Sequence, residues 1–451
     1  MRKLFGTDGI RGRANYYPMN VETTLSLGRA FGRWLKESNT GRVRVVIGKD
    51  TRLSCYIYEN ALIAGLCSMG IDTLMVGPLP TPGVAFITRA YRADAGIVIS
   101  ASHNAYYDNG IKFFTADGYK FPDSLEKNIE GLIAEGNFER FLPPDQKIGK
   151  NSKINDADGR YIEFVKATLP RRFTFKDFRV VLDCANGAAY RVAPLALKEL
   201  DAEVFAEAVN PNGLNINEHC GTLHLENIRK SVLDKRADIG IAFDGDADRV
   251  IMIDEQGNIV DGDMILAICA KDMKERNELQ NNCVVGTVMS NFGLIKCMKD
   301  LGIDFVQAKV GDRYVISKMI EHHANLGGEQ SGHLIFSDHN TTGDGLVSAL
   351  QVLRIMKERN KKLSELTKIM TRYPQVLLNV KVLQKPEIGE IPGLTKAIEK
   401  IHKKLENKGR VLVRYSGTEN VCRVMLEGPS NTCCEKYANS LADIIKGQIG
   451  I

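Results

Sequence analysis

No stretch of this 451-residue sequence approaches the roughly 18 consecutive apolar residues that a membrane-spanning helix requires. The opening Met1-Arg-Lys-Leu-Phe-Gly-Thr-Asp turns polar after two apolar residues, so neither secretion nor membrane insertion is expected. A basic block is also missing: 60 Lys and Arg against 55 Asp and Glu leave +5 spread along the chain, which excludes dedicated nucleic-acid binding. There is no C-x-x-C pair. The ten cysteines are scattered, mostly within apolar runs such as those around Cys67, Cys269 and Cys297. They read as reduced, packed thiols of a cytoplasmic protein, and the adjacent Cys433 and Cys434 as part of a helical pattern. Low-complexity tracts are absent as well. What remains is 44% hydrophobic and 25% charged, enough apolar material for several cores. The length suggests about three compact units, with two or four also allowed.

Three segments share one grammar of β-branched run, polar loop, apolar helix and second short strand. Arg44-Val-Val-Ile-Gly-Lys-Asp50 leads through Ala61-Leu-Ile-Ala-Gly-Leu-Cys67 to Ile71-Asp-Thr-Leu-Met-Val76. Arg179-Val-Val-Leu-Asp183 leads through Ala193–Leu200 to Ala202-Glu-Val-Phe205, and Cys283-Val-Val-Gly-Thr287 through Leu294–Gly302 to Ile303-Asp-Phe-Val306. Such units predict largely parallel sheets covered on both faces, hence three similar α/β domains in tandem. The last eighty or so residues read as a smaller α+β unit. It has strands at Pro374–Val382, Arg410–Arg414 and Val421–Glu427, with helices over 393–408 and from Asn431. Boundaries are expected near residues 152, 255 and 371, giving domains over 1–152, 153–255, 256–371 and 372–451.

Chemistry concentrates in five loops. Ile241-Ala-Phe-Asp244-Gly-Asp246-Ala-Asp248-Arg249 sets three carboxylates two apart after an apolar strand, a spacing that lets them converge on one hard cation such as Mg²⁺. An EF-hand is rejected, because Arg249 stands where that loop needs glycine and Val250-Ile-Met-Ile reads as a strand rather than a helix. The bland alternative is a solvated acidic turn. Gly96-Ile-Val-Ile-Ser-Ala-Ser102-His-Asn ends a strand in a turn that presents Ser102 as a candidate nucleophile or phosphate carrier, against the alternative of a surface turn. Arg414-Tyr-Ser416-Gly417-Thr418-Glu-Asn-Val-Cys-Arg423 combines hydroxyls, a flexible glycine and flanking arginines suited to a phosphate dianion, or is simply a hairpin loop. Gly327-Gly-Glu329-Gln-Ser331-Gly-His333 offers groups suited to sugar hydroxyls, and Gly6-Thr-Asp-Gly-Ile-Arg11-Gly holds an early arginine between glycines.

Together, in this order, the five loops resemble the α-D-phosphohexomutase superfamily, and within it the bacterial branch acting on glucosamine phosphate. The resemblance spans essentially the whole chain. It implies three α/β domains with mixed, mostly parallel sheets plus a smaller C-terminal α+β domain, arranged around a central cleft. It further implies that Ser102 carries a phosphoryl group as phosphoserine, and that Asp244, Asp246 and Asp248 bind one Mg²⁺ together with Ser102. Glu329 and Ser331 would hold sugar hydroxyls, and Lys309 would contact substrate. Arg414, Ser416, Gly417, Thr418 and Arg423 would grip the remote phosphate. Arg11, Lys112, Arg249 and His333 would lie near the transferring phosphoryl group or take part in acid/base work. The chain departs from the family pattern at Ala105, Tyr415 and Asn420, where relatives commonly carry proline, which alters loop stiffness rather than chemical groups.

The implied reaction is the reversible conversion of glucosamine 6-phosphate to glucosamine 1-phosphate, with glucosamine 1,6-bisphosphate as intermediate and activator. It would feed UDP-N-acetylglucosamine and peptidoglycan synthesis in the cytoplasm, and a homodimer is compatible with it. Phosphomannomutase or phosphoglucomutase activity is the alternative within the superfamily. From other classes, a metal-dependent phosphatase and a silent sugar-phosphate binder compete.

Overall fold

In the computed structural model, described for all residues except 1–3, 7, 40 and 417–419, the strands form four sheets. The first has six strands in the order Ile10–Arg13, Asp108–Thr115, Ala95–Ile99, Arg44–Lys49, Asp72–Pro78, Asn151–Lys153. Its central strands run parallel, and the two at the Ile10–Arg13 edge are antiparallel. The second has five strands and the third four, and each repeats this plan: a parallel pair grown from one strand–helix–strand unit, extended by an antiparallel hairpin. All three strand–helix–strand repeats read from the sequence are thus parallel pairs, Arg44–Lys49 with Asp72–Pro78, Arg179–Asp183 with Glu203–Glu207, and Cys283–Thr287 with Asp304–Ala308. The fourth sheet is antiparallel, in the order Gln375–Lys381, Val421–Glu427, Arg410–Tyr415, with helices Leu394–Leu405 and Asn431–Ile449 supplying its apolar cover.

By contact the chain divides into two compact units, residues 1–289 with 304–368, and residues 290–303 with 369–451. The first unit contains three of the sheets. The parallel strands Val45–Ile47 and Ala95–Ile99 are fully buried, as expected for strands packed on both faces. Helix Val21–Ser38 begins at Asn20, whose side chain accepts from Thr23 N at 3.1 Å, and helix Gly345–Arg359 begins at Asp344, which accepts from Leu346 N and Val347 N. Phe5, Phe31, Phe113 and Phe121 interlock edge-on or tilted in the first core. In the second unit, Glu427 is fully buried and tied to Arg410 at 2.6 Å and to Asn291 at 3.2 Å. That contact joins helix Phe292–Asp300 to the antiparallel sheet. All ten cysteines are free, and eight are buried. No helix among the described residues is long and apolar enough to cross a membrane.

Candidate active site

Loops leave the carboxyl ends of buried strands in each α/β sheet, which is where such sheets place their chemistry. The strand Ala95–Ile99 opens into Ser100–Asn104, Ile239–Phe243 into Asp244–Arg249, and Leu326–Gly328 into Glu329–His333. The last two are hairpin turns that touch through an Arg249–His333 bridge and a hydrogen bond from Val250 N to Gly332 O at 3.0 Å. Gly332 must be glycine here: a Cβ would sit 2.1 Å from Val250 O, and its φ is +90°. Gly245 permits the other close approach, since a Cβ on it would lie 2.5 Å from Ser102 O.

These approaches bring Ser102 and the three aspartates together. Ser102 Oγ donates to Asp244 Oδ2 at 2.5 Å, and one ligand-capable oxygen from each of Asp244, Asp246 and Asp248 lies within 4.8 Å of the others. All four residues are buried, so the acidic turn is not a solvated one and the serine turn is not a surface one. Ser102 adopts φ +53°, a left-handed conformation that costs a non-glycine residue about 1–3 kcal/mol and persists only where surroundings enforce it. Its own N–H donates to Ser100 Oγ at 2.9 Å, and Asn104 N donates to Ala101 O at 3.1 Å, closing the turn.

Positive charge converges on the same place. Lys112 Nζ lies 2.7 Å from Asp246 Oδ2, 3.5 Å from Asp248 Oδ2 and 3.4 Å from Asp8 Oδ2. Asp8 pairs with Arg11 and Lys120, and Lys120 also pairs with Asp312. His333 sits between Asp248 and Asp312, 3.7 Å from each, and Arg249 Nε is 3.9 Å from Asp248 Oδ1. Thr81 donates to Asp246 Oδ2 at 2.6 Å. Five carboxylates thus face four permanent cations and one imidazole.

The titration behaviour follows from this crowding. Burial, and then the charges of Asp248 and Asp246, push Asp244 up to about 8. Burial also acts to raise Asp248, but Lys112 and His333 outweigh it and hold that carboxyl well below the ordinary range. Burial acts to lower Lys112 and His333, yet their acidic neighbours outweigh it and raise both. His103, whose Nδ1 is 3.3 Å from Ser102 Oγ, is lowered to about 4 by burial and by Arg249 and Arg11, so it stays neutral near pH 7.

The donor set fits a hard divalent cation. Asp246 Oδ1 and Asp248 Oδ1 are buried without a hydrogen-bond partner among the described residues, an arrangement that is costly unless something positive occupies the space between them. Three carboxylates and a serine oxygen match the oxygen preference of Mg²⁺.

Glu329, expected from the sequence to hold a sugar hydroxyl, shares a turn with His333, to whose carbonyl its N–H donates at 2.9 Å. Glu329 Oε1 accepts from Gly311 N at 2.9 Å, which joins the Glu329–His333 turn to the loop carrying Lys309; Lys309 and Ser331 are both exposed. In the second unit, Arg414 and Arg423 are directly opposite each other across an antiparallel ladder, and Lys385 Nζ donates to Ser416 O at 3.0 Å. Like charges facing across a ladder are unfavourable, which makes this a place that invites an anion. Burial and Arg423 together lower the Arg414 guanidinium. Gly417 and Thr418 lie outside the described residues.

Sequence reasoning passed over Asp8, Lys120, Asp312, Thr81, Arg52 and Asn217. Asp8 stands three residues before Arg11 and Asp312 three after Lys309, so proximity to a singled-out residue was the available signal; Lys120 and Asn217 carried none.

Comparison with known proteins places this geometry in context. Four sequence models of phosphoglucomutase/phosphomannomutase match in order: alpha/beta/alpha domain I over residues 2–140, domain II over 159–257, domain III over 261–373 and the C-terminal domain over 377–444. A phosphoglucosamine mutase of Protochlamydia amoebophila is 65% identical over 449 residues, covering 100% of this chain and 98% of that protein; one of Chlamydia pneumoniae is 57% identical with the same coverage. A crystal structure of a phosphoglucomutase/phosphomannomutase family protein from Burkholderia thailandensis shares the fold with a TM-score of 0.82 at 23% identity, covering 100% of both chains. An N-acetylphosphoglucosamine mutase of Aspergillus fumigatus, solved with GlcNAc-6P and magnesium, follows at 0.70 and 16% identity, covering 99% of this chain and 96% of that one. Matched along its full length by relatives of this kind and by all four domain models, the chain belongs to the phosphoglucomutase/phosphomannomutase family.

Proposed function

We propose that this isomerase interconverts glucosamine 6-phosphate and glucosamine 1-phosphate by way of a phosphoserine at Ser102 and glucosamine 1,6-bisphosphate. The observation that carries the reading is the buried Ser102 hydroxyl at 2.5 Å from Asp244, inside a carboxylate triad in which two buried oxygens accept no hydrogen bond from the described residues. Full-length relatives at 55–65% identity, all phosphoglucosamine mutases, support the choice of sugar.

Asp244, Asp246 and Asp248 would hold one Mg²⁺ with the serine-borne phosphate. When bound, the ion neutralises charge on the transferring group. The chain's own residues supply the rest. Lys112, Arg11, Arg249 and His333 add positive charge around the phosphoryl oxygens, which is the main demand of phosphoryl transfer. The Ser102 Oγ–P bond breaks as a bond from a sugar hydroxyl to phosphorus forms, and the hydroxyl proton ends on Ser102 Oγ. After the bisphosphate turns over, the reverse exchange returns a phosphoryl group to Ser102 and releases the isomer. Glu329, Ser331 and Lys309 contact the sugar. Arg414, Ser416, Gly417, Thr418 and Arg423 hold the phosphate not in transfer, and must accept either end of the substrate. The domains are taken as 1–152, 153–255, 256–371 and 372–451, carrying the phosphoserine, metal, sugar and phosphate loops respectively. The substrate is a small phosphorylated amino sugar and the site of action the cytoplasm, supplying UDP-N-acetylglucosamine and peptidoglycan synthesis.

Purified protein incubated with glucosamine 6-phosphate, Mg²⁺ and a trace of hexose bisphosphate should form glucosamine 1-phosphate, visible by ³¹P NMR. Phosphomannomutase or phosphoglucomutase activity is the rival, and kcat/KM on the glucosamine, glucose and mannose phosphates decides between them. Free phosphate released as fast as isomer forms would replace the reading with a phosphatase.

A further inference from the structure

We propose that Arg52 and Asn217 are positioning residues for phosphoryl transfer, jointly holding Ser102 in the backbone conformation that aims its Oγ at the three aspartates. The proposal rests on Ser102 being the phosphoryl carrier. Two backbone carbonyls flank His103, Ser102 O and Asn104 O, and each accepts hydrogen bonds from the same two side chains. Arg52 Nη2 reaches them at 3.2 and 2.5 Å, and Asn217 Nδ2 at 2.9 and 2.9 Å. These donors come from loops 165 residues apart in sequence (217 − 52), one following the strand Arg44–Lys49 and one preceding Cys220.

Both donors are anchored from behind. Arg52 has no exposed surface, its Nη1 is ion-paired with Asp50, and its backbone N–H donates to Asp50 Oδ1 at 2.9 Å. Asn217 is buried, and its N–H donates to Ala185 O at 2.9 Å. Gly245 of the aspartate turn fits against the same spot: a Cβ there would lie 2.5 Å from Ser102 O and 2.9 Å from Asn217 Nδ2. The clamp is therefore packed directly under the metal-binding turn, although neither Arg52 nor Asn217 is bonded to Ser102 Oγ or to any of the three carboxylates.

The ψ of Ser102 sets where its carbonyl points, so leaving the left-handed region would swing Ser102 O away from both donors at once. Because the carbonyls on both sides of His103 are held by the same two side chains, the turn is fixed from Ser102 through Asn104 rather than at a single point. Each catalytic cycle loads and unloads phosphate at Ser102, and transfer in both directions needs the oxygen in line. A loop strained on its own would relax when the phosphate left; the buried guanidinium and amide prevent that.

Two variants separate positioning from folding. Asn217→Gly removes the amide and keeps the φ of +58° found at that position, and Arg52→Lys keeps a charge against Asp50 and loses the fork. In both, kcat should fall about 10- to 100-fold while KM for the sugar phosphate stays within about twofold, because substrate contacts are intact and alignment is lost. Backbone amides of residues 100–108 should exchange faster with solvent, and the phosphoserine ³¹P resonance should shift or broaden. Turnover by the unaltered protein is measured first: its absence on every hexose phosphate would remove the underlying reading. In that event the amide exchange still decides whether the clamp holds Ser102. Unchanged exchange of that loop, or kcat per folded molecule within about twofold of the unaltered protein, overturns the proposal.

Discussion

Dephosphorylated protein titrated with Mg²⁺ should bind the ion about 50-fold more weakly at pH 6 than at pH 8. The cause is Asp244, which burial and the charges of Asp248 and Asp246 push up to about 8. A bound divalent ion requires that carboxyl ionised, so a proton and the cation compete for it. The sign follows: affinity is fully present above the raised value and is lost as pH falls below it, tenfold per unit. Taking a single competing proton, the apparent Kd scales with 1 plus ten to the power of 8 minus pH, a factor of about 100 at pH 6 and about 2 at pH 8. This corresponds to about 2 kcal/mol of binding free energy. At pH 7 about 0.9 proton should leave the protein per ion bound. Isothermal titration calorimetry in buffers of different ionisation enthalpy reads both quantities. A Kd constant within about twofold from pH 6 to 8, or binding enthalpies independent of the buffer, would refute the reasoning.

Ser102→Ala should remove the single phosphate seen by intact-protein mass measurement and abolish isomerisation; phosphate found elsewhere would defeat the assignment. Arg414→Ala should raise KM about 10- to 100-fold through loss of a charged hydrogen bond, leaving phosphorylation at Ser102 intact, as steady-state kinetics and mass measurement would show. Gly245→Ala puts a methyl group 2.5 Å from Ser102 O and 2.8 Å from Ile216 Cδ1, and should cost about 1–3 kcal/mol of stability by thermal or urea unfolding, together with most of the activity. Retained stability and turnover would mean that the aspartate turn can shift without consequence.

Much of this was legible in the sequence because its signals were local. The runs Arg44–Lys49, Arg179–Asp183 and Cys283–Thr287 are β-branched stretches followed by helices at the spacing a parallel crossover needs, and the strands formed where that pattern stood. The aspartates Asp244, Asp246 and Asp248 were readable as a set because three acids after an apolar strand are costly unless neutralised. What could not be read is pairing across long separations. Lys112 meets Asp246 only because the strand Asp108–Thr115 and the turn after Ile239–Phe243 approach in space, and Lys120 is fixed by Asp8 and Asp312, 112 and 192 residues away (120 − 8, 312 − 120). The antiparallel hairpin that completes the third sheet, Leu326–Gly328 with Leu334–Phe336, was likewise unreadable, because three-residue strands are too brief for any periodicity to declare itself.

The facing guanidinium groups of Arg414 and Arg423 have a consequence for how the C-terminal unit responds to its surroundings. Dissolved salt should screen the field of both groups and so dilute their pull on an incoming dianion. A phosphate held there, in the role proposed for Arg414 and Arg423, should therefore come away more readily in brine than in dilute buffer.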